Sequence, residues 1–234
     1  MCWSSGATIA MVAAGAVATA ISIRRGDPVA MPLALAYFTF MEALQVGGYM
    51  VINQCGSPVN QSLTLLSILH IVFQPLFINA FAMELVPREV KLRVRMAVFI
   101  GCALSSVIML LQLYPFDWAG VCAPGSILCG KILCTVSGVW HQAWDVPYNG
   151  LLVPLENLLG TTLGFPSYMI AAFVLPLLYG AWRFALFQFL MGPVLAGQLT
   201  TAPNEVPAIW CLFSIGLALV SLSPAIRQRM TVRA

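Results

Sequence analysis

The sequence predicts an all-α membrane protein, a bundle of seven transmembrane helices, and three observations lead to this fold class. The 234 residues are 60% hydrophobic, with a mean hydropathy of +0.91. Only 8% are charged, whereas a soluble globular domain carries about 25%. Seven apolar stretches follow one another, each near or above the ~20 residues that cross a bilayer. They cover residues 7–24, 29–53, 61–85, 95–114, 131–153, 165–188 and 206–224.

The first stretch resembles a signal peptide in composition but differs from one in its charge pattern. Its basic residues, Arg24 and Arg25, follow the apolar run, so we expect an uncleaved helix with its N-terminus outside. Other Lys and Arg residues lie between the third and fourth helices and after the seventh. With seven crossings these clusters share one side, which the positive-inside rule makes cytoplasmic together with the C-terminus. Little chain remains between the helices, so residues 1–234 are predicted to form one domain.

The second and third helices carry polar residues within apolar sequence. Glu42 and Gln45 are three positions apart on the second helix, and His70 and Gln74 are four apart on the third, just before Pro75. Each pair therefore shares a helix face. Ionisable residues are costly in hydrocarbon, so they usually face the interior of a bundle and mark a functional site.

The predicted fifth helix contains the sequence VWHQAWDVPYNG. His141, Asp145 and Asn149 recur every four residues, so on a helix they would share one face. Pro147 would kink this helix and leave backbone carbonyls available close to the polar face.

Three of these residues have the same predicted depth in the membrane, and this predicts a metal site. Glu42, His70 and His141 each lie about ten residues from the same predicted membrane face, roughly 15 Å down at about 1.5 Å per residue. Two imidazoles and a carboxylate are a common ligand set for zinc or non-haem iron. We predict these three as metal ligands and Asp145 as a catalytic base or as the group that orients His141. Metal-bound water could then hydrolyse a lipid-soluble or small-molecule substrate.

Three further residues are predicted to surround the metal ligands. Gln45 and Gln74 share helix faces with Glu42 and His70. Arg183, placed in the outer part of the sixth predicted helix, could approach the same level and neutralise a carboxylate.

Other functions remain open for the same residues. His70 and His141 on facing helices could be the two axial ligands of haem b. The polar residues that follow one another inward along the third and fifth predicted helices would also suit a small-solute transporter or a proton relay. A lone buried histidine or glutamine more often satisfies an interhelical hydrogen bond, which would suit a structural subunit of a membrane complex. No lysine lies in the seventh helix for a retinal Schiff base, and the net charge of +3 gives no reason to expect a nucleic-acid partner.

The cysteines divide according to the predicted topology. Cys102 and Cys211 lie within helices, whereas Cys2, Cys55, Cys122 and Cys129 fall outside, where disulfides can form. A bridge between Cys122 and Cys129, or from Cys55 to the 115–130 loop, is plausible, but pairing cannot be read from sequence. Cys2 is also a candidate external thiol.

The opening Met1-Cys2-Trp3-Ser4, the stretch LHIVFQPLFIN and the stretch WHQAW carry a resemblance. From residue 1 to about residue 160, the chain resembles an uncharacterised family of bacterial seven-helix membrane proteins. The resemblance implies the seven-helix fold, membrane lipids as surroundings and a location in the bacterial inner membrane. It implies no activity and no catalytic residue.

Overall fold

The structure is a computed structural model, and it describes residues 3–213 and 215–231. Most of the described chain is helical. Four long helices come first: α1 (Ser5–Arg24), α2 (Ala30–Met50), α3 (Pro58–Ala82) and α4 (Arg88–Leu113). The side chain of Ser4 caps α1, and Pro58 opens α3, where a missing backbone N–H does no harm. The long apolar runs of the sequence therefore become helices close to where the sequence predicts them.

A second group of elements follows residue 113. A two-stranded antiparallel hairpin joins β1 (Cys134–Ser137) to β2 (Gln142–Asp145), with Ser137 opposite Gln142. The short helix α5 (Val153–Leu159) comes next. The 166–178 helix consists of α6 (Pro166–Met169), a π-helical turn (Ile170–Val174) and α7 (Leu175–Leu178).

The elements from residue 182 onward are all helical. The 182–199 helix consists of α8 (Trp182–Phe189), a π-helical turn (Leu190–Val194) and α9 (Leu195–Leu199). It is followed by α10 (Val206–Phe213), α11 (Gly216–Leu222) and α12 (Pro224–Met230).

Two of the predicted helices are wrong. Residues 131–153 contain the hairpin, because the apolarity of this segment reflects burial of strand residues such as Trp144, which has no exposed surface. A short apolar run cannot by itself distinguish a buried strand from a buried helix. Residues 165–188 are also not one helix, because a turn at 179–181 divides them. Gly180 adopts a positive φ of 93° in this turn, a conformation that glycine reaches without strain.

Within the described residues, three helices are long and apolar enough to cross a membrane, namely Ser5–Arg24, Pro58–Leu85 and Arg88–Leu113. A fourth candidate, Val206–Leu222 with Pro224–Met230, is bent by 100°. The helix Pro166–Leu178 is apolar but shorter. The chain is therefore mostly helical and has membrane-spanning candidates, while seven crossings and their orientation remain predictions.

Contacts between the segments that join the helices define the two ends of the molecule. At the end that we call the hairpin end, the disulfide Cys55–Cys134 joins the α2–α3 connection to β1, and the backbone N–H of Trp3 donates to the carbonyl of Trp140. At the other end, which we call the basic end, the Arg227 guanidinium donates two hydrogen bonds to the Asp27 carboxylate. The basic end also carries Arg24, Arg25, Arg88, Lys91, Arg93, Arg95, Arg183 and Arg229.

Candidate functional site

The loop of the hairpin is held in place by a buried carboxylate. Glu205, directly before α10, has no exposed surface. It accepts hydrogen bonds from the backbone N–H groups of Val139 (3.0 Å), Trp140 (2.6 Å) and His141, and from the Thr200 hydroxyl (2.5 Å). A carboxylate that accepts several N–H bonds is well stabilised in a buried place. Glu205 therefore fixes the position of His141.

His141 is buried between the hairpin and α2, with both ring nitrogens bonded. The Tyr49 hydroxyl contacts Nδ1, and Nε2 lies 2.6 Å from the Gln45 Oε1 atom. The amide nitrogen of Gln45 donates to the Ala208 carbonyl (3.2 Å), so Oε1 must accept from Nε2–H and Nδ1 must accept from Tyr49. Burial lowers the pKa of His141 to about 3. The imidazole is thus neutral and shares its two nitrogens with protein partners.

Glu42 lies one turn further along α2 and is the exception to this pairing. Its side chain is 1% exposed, and among the described residues neither carboxyl oxygen has a hydrogen-bond partner. Glu42, Gln45 and Tyr49 occupy positions i, i+3 and i+7, so they share one face of α2. We call these three residues together with His141 the polar column. It runs about 10 Å along α2 from half-buried Tyr49 to Glu42.

His70 is attached to a different face of α2. Its Nε2–H donates to the Tyr37 carbonyl (2.7 Å), and its ring stacks on the Tyr37 ring with centroids 3.7 Å apart. The Tyr37 hydroxyl in turn donates to the His70 carbonyl (2.5 Å). Tyr37 and Glu42 are five residues apart, so they point about 140° apart around the helix at about 100° per residue. His70 and Glu42 therefore lie on different sides of α2, and the similar depth predicted for them from the sequence does not make their side chains meet.

Two further polar contacts connect α3 to the later helices. The Tyr168 hydroxyl donates to Gln74, whose amide nitrogen donates to the Cys211 sulfur (3.6 Å). A cavity of about 70 Å³ borders all three side chains and has mainly apolar walls. About one and a half turns further along α3 towards the basic end, the Tyr179 hydroxyl donates to the Asn79 Oδ1 atom (2.9 Å). Gln74 is thus a bridge between helices.

The remaining predicted site residues lie away from the polar column. Asp145, at the end of β2, accepts a hydrogen bond from the Asn204 amide (2.6 Å), and His141 uses other partners. Arg183 lies at the basic end, where it donates to the Arg229 carbonyl (2.9 Å) and stacks over Trp182. The placement of Arg183 in the outer part of a helix is therefore wrong. The turn at 179–181 reverses the chain just before Arg183, so this residue lies at the opposite end of the bundle from the one expected.

The described part of the chain contains no group of three or more His, Cys, Asp and Glu residues that could hold a metal ion. The structure thus lends no support to a metal site at Glu42, His70 and His141. It attaches the two histidines to separate partners, and each Nε2 is already engaged in a hydrogen bond.

Two disulfides lie at the hairpin end. Cys55 is joined to Cys134, and Cys122 to Cys129. Of the two bridges expected from the sequence, Cys122–Cys129 is present, whereas the partner of Cys55 lies in β1 and not in the 115–130 loop. Cys2 lies outside the described residues.

The sequence reasoning also missed two important residues. Tyr49 and Glu205 complete the surroundings of His141. Tyr49 could have been found, because it continues the spacing of Glu42 and Gln45 on α2. Glu205 could not, because a single acid in a connecting segment gives no signal of a buried role.

The fold and this site define a class: a mostly helical protein with membrane-spanning candidates, in which a disulfide-linked hairpin covers a buried polar column. Over residues 6–231 the chain matches the family of unknown function DUF5765, and it belongs to that family. This agrees with the resemblance to an uncharacterised family. No curated protein and no solved structure matches the chain.

Proposed function

We propose that this chain is a membrane protein that crosses the bilayer seven times, with the hairpin end outside and the basic end in the cytoplasm. The crossings are α1, α2, α3, α4, the 166–178 helix, the 182–199 helix and α10–α11. Two features support this orientation. Both disulfides lie at the hairpin end, and disulfides persist in oxidising surroundings. Basic residues collect at the opposite end, as the positive-inside rule requires of a cytoplasmic side.

We further propose that the protein relays protons across the membrane, and that Glu42 is the group that takes up the proton. The observation that carries this proposal is that neither Glu42 oxygen, at 1% exposure, has a hydrogen-bond partner in the part of the chain that the structure describes. An unpaired carboxylate is very unfavourable in an apolar interior, so the group is stable there when it binds a proton. Intramembrane carboxyl groups of this kind serve as proton relays in pumps and transporters.

Polar groups on both sides of Glu42 support a path through the bundle. Towards the hairpin end, Gln45 and His141 lead to Tyr49, which is half-buried. Towards the basic end, Gln74 with Tyr168 and Asn79 with Tyr179 form two further polar contacts between helices. Acidic and histidine side chains are the usual members of proton relays, and hydroxyl and amide groups can hydrogen-bond to water along such a path.

Proton flux into liposomes tests the proposal. The purified protein is reconstituted with a pH-sensitive dye inside, and a potassium gradient with an ionophore supplies a membrane potential. We expect acidification above that of empty liposomes, and we expect Glu42→Gln to abolish it, because the amide keeps the shape but cannot exchange a proton. Glu84→Gln is the matched control, since Glu84 pairs with Lys91 near the surface at 2.6 Å.

Two results would contradict the proposal. One is a wild-type flux equal to that of empty liposomes, and the other is an unchanged flux in Glu42→Gln. Either result would favour the structural alternative, in which these polar groups only join helices. Infrared difference spectroscopy gives a second readout, because a protonated Glu42 contributes a carboxylic acid band that Glu42→Gln removes.

A further inference from the structure

The 166–178 helix is too short to cross a bilayer on its own. Its α-helical and π-helical parts have 4, 5 and 4 residues. At about 1.5 Å per residue this is roughly 20 Å, against about 30 Å for the hydrocarbon core. If this helix crosses the membrane, as in the proposed topology, about 10 Å of hydrocarbon must be filled by other residues. The chain directly before it, residues 151–165, is the candidate.

Near the end of this segment, backbone groups are hydrogen-bonded by buried groups of the protein. Gly164 donates its N–H to the Glu156 Oε1 atom (2.5 Å) and accepts at its carbonyl from the Gln112 amide (2.8 Å). Glu156 and Gln112 are 2% and 1% exposed. The Thr162 carbonyl accepts from the backbone N–H of Ile127 (3.1 Å). Irregular backbone at membrane depth is tolerated only where protein groups replace water in this way.

The packing at Gly164 is close as well. Its φ is +70°, and a Cβ atom there would lie closer than 3.0 Å to the Ile127 carbonyl oxygen and the Tyr148 hydroxyl. One side of the segment 151–165 is therefore in close contact with the rest of the protein.

The other side of the segment is mainly apolar, although Asn157 and Thr162 are also exposed there. Helix α5 exposes Leu155, Leu158 and Leu159, with Leu158 82% exposed, while Glu156 points inward. Glu156 is the only charged residue between Asp145 and Arg183. A helix at a water surface would show the opposite arrangement, with the charge outward and the leucines inward. Protein interfaces also differ, since they have a polar rim around their apolar centre.

We infer that residues 151–165 lie inside the outer leaflet, with the leucines of α5 in contact with lipid acyl chains. The segment enters the leaflet as a short helix and continues the path of the 166–178 helix. Glu156 and Gln112 replace the backbone hydrogen bonds that a continuous helix would supply. The inference rests on the proposed topology and is independent of proton movement.

Site-directed spin labelling tests the inference. Leu158→Cys is made in the full chain with Cys2, Cys102 and Cys211 replaced, the two disulfides are kept, and the protein is reconstituted in liposomes. Collision of the label with oxygen, which dissolves in lipid, is compared with collision with a water-soluble nickel complex. Ile100→Cys on the exposed apolar side of α4 is the lipid reference, and Glu89→Cys at the exposed start of α4 is the aqueous reference.

We expect the label at position 158 to give the oxygen-dominated ratio of position 100 and the reverse of the ratio at position 89. A nickel-dominated ratio would place α5 in water and overturn the inference. Low collision with both reagents would overturn it too, because it would mean that protein, such as a second copy of the chain, covers the leucines. Leu159→Cys repeats the test if the first variant does not fold. A failed proton-flux assay would leave this outcome unaffected.

Discussion

At the scale of single residues, buried polar side chains in this protein are mostly paired with one another across elements. His141 has a partner at each nitrogen, and Glu205 accepts three backbone hydrogen bonds and one from a hydroxyl. Glu42 differs from these two, because among the described residues neither of its oxygens has a hydrogen-bond partner. Gln142 is likewise buried with no partner at either amide atom, but a carboxyl group can take up a proton and an amide cannot, so the proposed proton uptake is assigned to Glu42.

The lowered pKa of His141 predicts a dependence of stability on pH. An unfolded histidine titrates near 6.5, and burial lowers the pKa of folded His141 to about 3. Between these values only the unfolded state binds the proton, so stability falls as the pH falls below about 6.5. The slope from this group approaches about 1.4 kcal/mol per pH unit. Thermal unfolding in detergent at several pH values checks it.

The comparison is made with His141→Gln, which removes the titrating ring. We expect this variant to be less stable at pH 7 but to lose less stability than the wild type on acidification. Identical pH profiles for the two proteins would show that His141 does not titrate on unfolding.

Replacing Glu205 should loosen the hairpin loop. Glu205→Gln offers one oxygen to three N–H groups and turns its amide NH2 towards at least one of these donors. We expect a loss of about 2–3 kcal/mol in the free energy of unfolding. Glu89→Gln, at an exposed position, should change stability little. Equal stabilities of the two variants would contradict the role assigned to Glu205.

At the scale of elements, close packing accounts for a glycine in the irregular 182–199 helix. The π-helical turn Leu190–Val194 places Gly192 against the Trp210 ring, and a Cβ atom there would lie closer than 3.0 Å to the indole. One turn later, Gly197 has nothing within 4 Å of the same position. The two glycines of the 182–199 helix thus have different reasons to be there.

This contrast predicts opposite effects for one substitution. Gly192→Ala should destabilise the protein by about 1–3 kcal/mol through overpacking. Gly197→Ala should be neutral or stabilise by up to about 1 kcal/mol, because alanine favours the helix. Unfolding midpoints of both variants provide the measurement. A stable Gly192→Ala variant would mean that Trp210 can move aside.

At the scale of the whole molecule, two disulfides tie the hairpin end together over different lengths of chain. Cys55 and Cys134 are separated by 79 residues, and Cys122 and Cys129 by 7. The first bridge joins the hairpin to the connection between α2 and α3. It therefore positions His141 as well as closing a long loop.

The loop lengths predict an order of stability. The chain-entropy relation gives about 4.5 kcal/mol for the long loop and about 2.4 kcal/mol for the short one at 25 °C. Replacing Cys55 and Cys134 with Ser should therefore lower the unfolding midpoint more than replacing Cys122 and Cys129. The reverse order would show that the short bridge holds structure that the long one does not.

The sequence by itself determined the helical class, the four helices up to residue 113 and the burial of Glu42, Gln45, His70 and His141. Long apolar runs bounded by charges are enough for this, because hydrophobicity sets burial and length. The tertiary structure alone decided that residues 131–153 contain a hairpin, because burial looks the same in strands and helices. It also decided which faces meet. Depth along α2 follows from residue count, whereas the direction around the helix relative to α3 depends on packing. His70 therefore joins Tyr37, while Glu42 has no hydrogen-bond partner among the described residues.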